Sequence, residues 1–230
     1  MMKSFSALIV FILISIITAN AQNSTSATAV TANPGGFYIK GGVNLSNIST
    51  QNNGSYNKAN TLTTFNVGVL ADLPLASVLS LQPGVVSTGK GAKASGSFAG
   101  ISSATTFNPL YVEVPVNVVV KLPLGNDSRI FFGAGPYGAV GVGGKWKNTT
   151  SGGGLSANSD DKIKFGNSNG DDLKTFDYGL NGLAGVEISR LMVGVNYGLG
   201  LAKIFPNQTD NGANDKNKYR VFSVNVGIRF

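Results

Sequence analysis

From residue 37 onward the chain alternates apolar with small or polar side chains, and this period of two returns through eight segments: roughly 37–47, 63–73, 78–89, 107–122, 128–144, 174–188, 190–203 and 218–230. Alternation of this kind marks strands with unlike faces. Helical spacing is not sustained in any of these segments. In the last segment, Phe222, Val224, Val226, Ile228 and Phe230 form one face, with Ser223, Asn225, Gly227 and Arg229 on the other. Segment 107–122 sets Leu110, Val112, Val114, Val116, Val118 and Val120 against Tyr111, Glu113, Asn117 and Lys121.

Which face points inward decides the class. A soluble barrel would turn the apolar face to its core and show a charged face to water. Here charged residues are only 13% of the chain, glycine is abundant at 31 residues, and isolated ions share their face with glycine. The reverse arrangement fits better, with apolar residues against lipid and small or polar residues lining a narrow lumen. The segments also match the ~9–11 residues that cross a bilayer when tilted. Only a closed ring leaves no unpaired strand edge in lipid, so the final strand is expected to pair with the first. Connector lengths alternate as well: 73–77, 122–127 and 189–190 are tight, whereas 48–62, 90–106, 145–173 and 204–217 are long and rich in Gly, Ser, Asn and Asp. The expected fold is an all-β, eight-stranded antiparallel up-and-down transmembrane β-barrel, with short turns and both termini in the periplasm.

The start of the chain points to the same compartment. Lys3, an apolar run from Ala7 to Ile17 and Ala19-Asn20-Ala21 form a secretory signal peptide over 1–21, cut before Gln22. Residues 22–36 read as a flexible periplasmic arm and 37–230 as the outer-membrane barrel. The absence of cysteine excludes disulfides and a lipid anchor at cysteine. The net charge of +7 lacks any dense Lys/Arg stripe, which suits an anionic lipid surface and not nucleic acid.

The chain resembles the PorT-like outer-membrane β-barrel family of Bacteroidetes-type gram-negative bacteria. The resemblance lies in Phe37-Tyr-Ile-Lys-Gly-Gly-Val-Asn-Leu-Ser46, Leu110-Tyr-Val-Glu-Val-Pro115, Gly133-Ala-Gly-Pro-Tyr137, Asp177-Tyr-Gly179 with Gly185-Val-Glu187, Val195-Asn-Tyr-Gly-Leu-Gly-Leu201 and Val226-Gly-Ile-Arg-Phe230. It implies an eight-stranded barrel whose last strand, Phe222 to Phe230, is read by the barrel-insertion machinery. Some relatives take part in type IX protein secretion or gliding, while most have no assigned role, so the resemblance leaves an envelope or secretion protein as one candidate partner beside outer-membrane lipid.

Chemistry is restricted by what is missing. With neither His nor Cys, Ser-His-Asp and Cys-His sites cannot be built, and the usual zinc and copper sets fail for the same reason. No catalytic residue, cofactor or metal is assigned, and the protein is expected not to be an enzyme. Gly133-Ala-Gly-Pro-Tyr-Gly138 matches the dinucleotide fingerprint in letters only, because the chain continues extended after Pro136 where a helix is required.

Parity turns Lys40, Glu113, Lys121, Arg129, Glu187 and Arg229 toward the lumen, where lone charges are costly and a hydrogen-bonded ion network is expected. A structural plug is one reading of that network and an ion path the other. Pro83, Pro115 and Pro136 fall at similar heights on three successive strands. They imply either a band of β-bulges or a flank where a membrane partner docks. The acidic stretches at 159–162, 169–172 and 209–215 read as solvated turns, with Ca²⁺ ligation as the alternative. Trp146, between Lys145 and Lys147, is expected to mark the outer membrane interface, where basic groups meet lipid phosphates.

Overall fold

A computed structural model describes residues 33–230 apart from 53–54, 59, 99–100, 126, 153–154, 169 and 207–216. The expected signal peptide and most of the expected arm lie outside the described residues. Asn33, the first described residue, is buried and donates its side-chain amide to the Ser80 hydroxyl.

The strands are β1 (Gly36–Asn52), β2 (Ser55–Lys58), β3 (Leu62–Pro74), β4 (Leu79–Gly89), β5 (Ala92–Phe98), β6 (Ile101–Gly125), β7 (Ser128–Gly152), β8 (Leu155–Lys162), β9 (Phe176–Ile188), β10 (Leu191–Gly200) and β11 (Lys218–Arg229). Eight of them close an antiparallel ring in the order β1-β3-β4-β6-β7-β9-β10-β11, with β11 returning to β1 from Tyr38↔Arg229 to Ser49↔Lys218. Phe37 and Phe230 exchange backbone hydrogen bonds of 3.3 and 2.8 Å at the seam. The other three strands extend the staves at the long-connector end: β2 pairs with the end of β1, β5 with the start of β6 and β8 with the end of β7. Three of the four expected long loops are therefore more than half hairpin, and Ser159–Lys162, expected as a turn, is ladder in β8. The alternation that identified the staves fades there into Ser, Thr, Asn and Gly, so local pattern could not announce these strands.

The barrel is inverted relative to a soluble one. Phe222, Val224 and Ile228 are 39%, 48% and 51% exposed, while Lys121 and Glu187 on the inner face are 2% and 1% exposed. On β11 the apolar outer face runs from Phe222 to Phe230, about 20 Å of height at ~3.3 Å per residue and a ~40° tilt. Aromatic side chains stand on the outer wall toward both rims: Phe37, Phe132 and Phe230 at the short-turn end, Phe65, Phe176, Tyr178 and Tyr197 at the other. Such girdles flank the lipid-facing band of membrane barrels. Glycines on the inner face make room for large neighbours: a Cβ on Gly185 would lie 2.5 Å from the Phe131 ring, and one on Gly179 2.8 Å from the Tyr137 hydroxyl.

The prolines correct the bulge expectation. The ladder skips the rungs between Leu70↔Gly84 and Leu73↔Leu81, between Pro83↔Val116 and Val86↔Glu113, and between Pro115↔Tyr137 and Val118↔Ala134. Each gap touches one of Pro83, Pro115 or Pro136, and register is unchanged across all three. Proline removes a donor without adding a residue, so these are open rungs and not bulges.

The bulge lies higher on the wall. Register between β6 and β7 moves from Tyr111↔Gly141 to Leu110↔Gly143, leaving Val142 as an extra residue on β7. Above it the faces of β7 exchange. Trp146 turns inward, packing on Phe107 with ring centroids 4.4 Å apart, while Lys145 and Lys147 face out and are exposed. The expected interfacial tryptophan is thus an interior one. As the sole tryptophan, its emission should be indifferent to brominated acyl chains; strong quenching by them would contradict the inward placement.

Candidate functional site: the charged lumen

Two lysines organise the interior. At the short-turn end, Lys121 on β6 places its ammonium 2.5 Å from Asp72 Oδ2 and 3.2 Å from Glu187 Oε2, and donates to the Tyr38 hydroxyl at 3.0 Å. Tyr38 in turn donates to Glu187 Oε1, and Gln82 donates to Asp72 Oδ1 at 3.0 Å. Arg229 reaches Glu187 at 3.8 Å and donates to the Ser189 carbonyl at 3.0 Å. Arg129 is buried directly across the ladder from Glu187.

The second node sits toward the long-connector end. Lys90 lies 2.9 Å from Glu113 Oε2 and 2.8 Å from Asp177 Oδ2, with its ammonium 4.3 Å from the centre of the Tyr137 ring, a cation–π distance. Tyr137 donates to Asp177 at 3.2 Å and Asn181 donates to Glu113 at 3.2 Å. Gly91 allows the chain to turn here from β4 to β5: its φ is +152°, and a Cβ would meet the Phe107 carbonyl oxygen at 1.9 Å.

Between the nodes lie an apolar layer of Leu70, Val86, Val119, Phe131 and Met192 and a cavity of about 60 Å³. Lys40 lines this cavity, standing between Gly68 and Gly227 of the adjacent strands. Among the described residues the side-chain oxygens of Asn66, Asn117 and Asn225 in the same wall have no hydrogen-bond partner, a setting that suits a few buried waters. Above the Lys90 node, Ile163 and Leu173 from the β8–β9 connection and Ile204 from the β10–β11 connection pack with Tyr111, Tyr137 and Tyr219 into an apolar cap.

Of the residues assigned to the lumen from sequence, Lys121, Glu187 and Arg229 share one node, Glu113 belongs to the other, Lys40 lines the cavity and Arg129 borders the first node. Sequence reading missed Asp72, Lys90 and Asp177, although the signal was present. Asp72 and Asp177 continue the inner parity of β3 and β9, and Lys90 continues that of β4 one residue past its end. The turn acids do local work: Asp171 accepts the Ser168 amide and Asp172 the Lys164 amide, each at 2.8 Å. Among the described residues no group of His, Cys, Asp and Glu is arranged to hold a metal ion, and 209–215 lies wholly outside them.

A closed antiparallel ring with lipid-suited residues outside and ions enclosed defines an outer-membrane β-barrel. The chain belongs to the family described as outer membrane protein beta-barrel domain, which matches residues 20–206 and places it in the outer membrane. No curated protein matches it. Among solved structures it is similar to the attachment invasion locus protein Ail of Yersinia pestis, at 14% identity and a TM-score of 0.40 over 85% of this chain and 99% of that one. Neisserial surface protein A is similar at 14% identity and 0.43, over 84% and 97%. OprG of Pseudomonas aeruginosa is similar at 13% identity and 0.42, over 86% and 97%. At these values the likenesses add nothing to the assignment, which rests on the ring and the family.

Proposed function

We propose that this barrel is a non-enzymatic structural or interaction module of the PorT-like type, serving as an accessory of a secretion or envelope complex. It is exported by its signal peptide and inserted through its last strand, with both termini periplasmic. The observation that carries this reading is the filled lumen: two ion nodes, an apolar layer and an apolar cap occupy the axis in series. A plug of that depth leaves the outer wall and the extended hairpins as the working surfaces. The open rungs beside Pro83, Pro115 and Pro136 mark the flank on which a partner in the membrane docks.

The runner-up, a small ion or solute channel, draws on the cavity and its unpartnered Asn oxygens beside Lys40. Planar-bilayer recording separates the two. Folded protein should give no steady conductance of general-porin size, and such conductance would overturn the plug. Cysteine crosslinking from Val85, Val114 and Ala134 in native membranes should capture a specific protein; a blank result at all three positions would remove the proline flank.

A further inference from the structure

The bulge at Val142 has a second effect on the outer wall. Above it β7 and β8 turn Lys145, Lys147 and Lys162 outward, all exposed. Lys145 stands directly opposite Lys162 in the ladder, and Lys147 lies opposite Asp160. Like charges facing each other across a strand pair are destabilising, and among the described residues neither Lys145 nor Lys162 has an ion-pair partner. The Lys147–Asp160 pair, at 3.9 Å with both side chains about half exposed, neutralises little of the patch. On the other side of β7 the row continues into Asn108 and Thr106 of β6, which add hydrogen-bonding groups and no negative charge.

Immediately below the lysines the wall becomes apolar. Phe65, Leu110 and Val142 are 71%, 41% and 55% exposed, and they line one groove together with Lys145, Lys147 and Lys162. The groove opens where β4 stops pairing with β6 at Gly89 and the top of β3 diverges. Cations thus sit at the upper edge of the lipid-facing band with aliphatic and aromatic surface directly beneath them, which is the geometry of an anionic headgroup joined to an acyl chain.

We propose that this groove binds a phosphomonoester-bearing membrane lipid, its phosphate on Lys145, Lys147 and Lys162 and its acyl chain along Phe65, Leu110 and Val142. The inference rests on the membrane-seated reading above. Charge complementarity selects the headgroup, and continuity with the outer apolar band selects a lipid over a soluble anion.

The test uses the full chain folded into phosphatidylcholine nanodiscs containing a small fraction of diphosphoryl lipid A, with bound lipid read by native mass spectrometry. Retention of lipid A is expected, at least tenfold weaker in the triple variant Lys145→Gln, Lys147→Gln, Lys162→Gln. Removing Lys218 and Arg220, basic residues on β11 outside the groove, should leave retention unchanged. An equal loss from that pair would reduce the effect to general surface charge and overturn the site. Equal retention of dephosphorylated lipid A would overturn the phosphate role, and equally tight binding of inorganic phosphate by ³¹P titration would overturn the lipid. Heat-modifiable gel mobility of the same samples reports the folded barrel separately. Failure to insert would sink the membrane reading, whereas a folded barrel without retained lipid would sink only this proposal.

Discussion

Lys121→Met is expected to destabilise the folded barrel by about 3–5 kcal/mol, the range for removing one partner from a buried ion network. The ammonium is nearly inaccessible and serves Asp72, Glu187 and the Tyr38 hydroxyl together. Without it, Glu187 keeps Tyr38 and a long contact to Arg229, but Asp72 keeps only the neutral Gln82 amide. Desolvated carboxylates without a cation are what makes such a substitution severe. The readout is denaturant unfolding in lipid vesicles, followed by gel mobility. A second variant isolates the cause: adding Asp72→Asn to Lys121→Met should recover most of the loss, because the carboxylate left without a cation is then gone while Glu187 keeps Arg229. If the single variant unfolds with the parent, or the double variant is no better than the single, the node is not a buried charge cluster.

Val195→Lys is the second large effect and probes the outer wall. Val195 is 41% exposed, lies at the middle of the outer face of β10 and pairs with Val224 and Ala184. In a bilayer a lysine at that depth destabilises a barrel by about 2–4 kcal/mol, falling to about 0–1 kcal/mol near the interface. Leu191→Lys, on the same face beside the turn at 189–190, should therefore be nearly silent. For a soluble protein both sites would be ordinary exposed positions and neither change would matter. Equal, small effects at the two depths would remove the lipid from around the wall.

These two variants test different sources of information. The outward face of β10 was legible in the residues themselves, because a strand exposes alternate side chains whatever its partners are. The same parity contained Asp72, Lys90 and Asp177, which were overlooked, Lys90 because it lies one step beyond the strand that orients it. The pairing of Lys121 with Asp72 and Glu187 could not be read in that way. Those residues come from β6, β3 and β9, and they meet only because the ring closes and its register sets their heights.

Taken alone, the sequence determined the class of fold, the eight staves and the direction each stave faces, since period and polarity are local properties of a strand. Tertiary pairing decided the rest: which lysine holds which acids, the hairpins β2, β5 and β8, and the exchange of faces above Val142. The glycines around Val142 mark a place where a strand can bulge. Only the pairing of β6 with β7 fixes which residue is extra, and that single residue sends Trp146 inside and Lys145 and Lys147 to the outer wall.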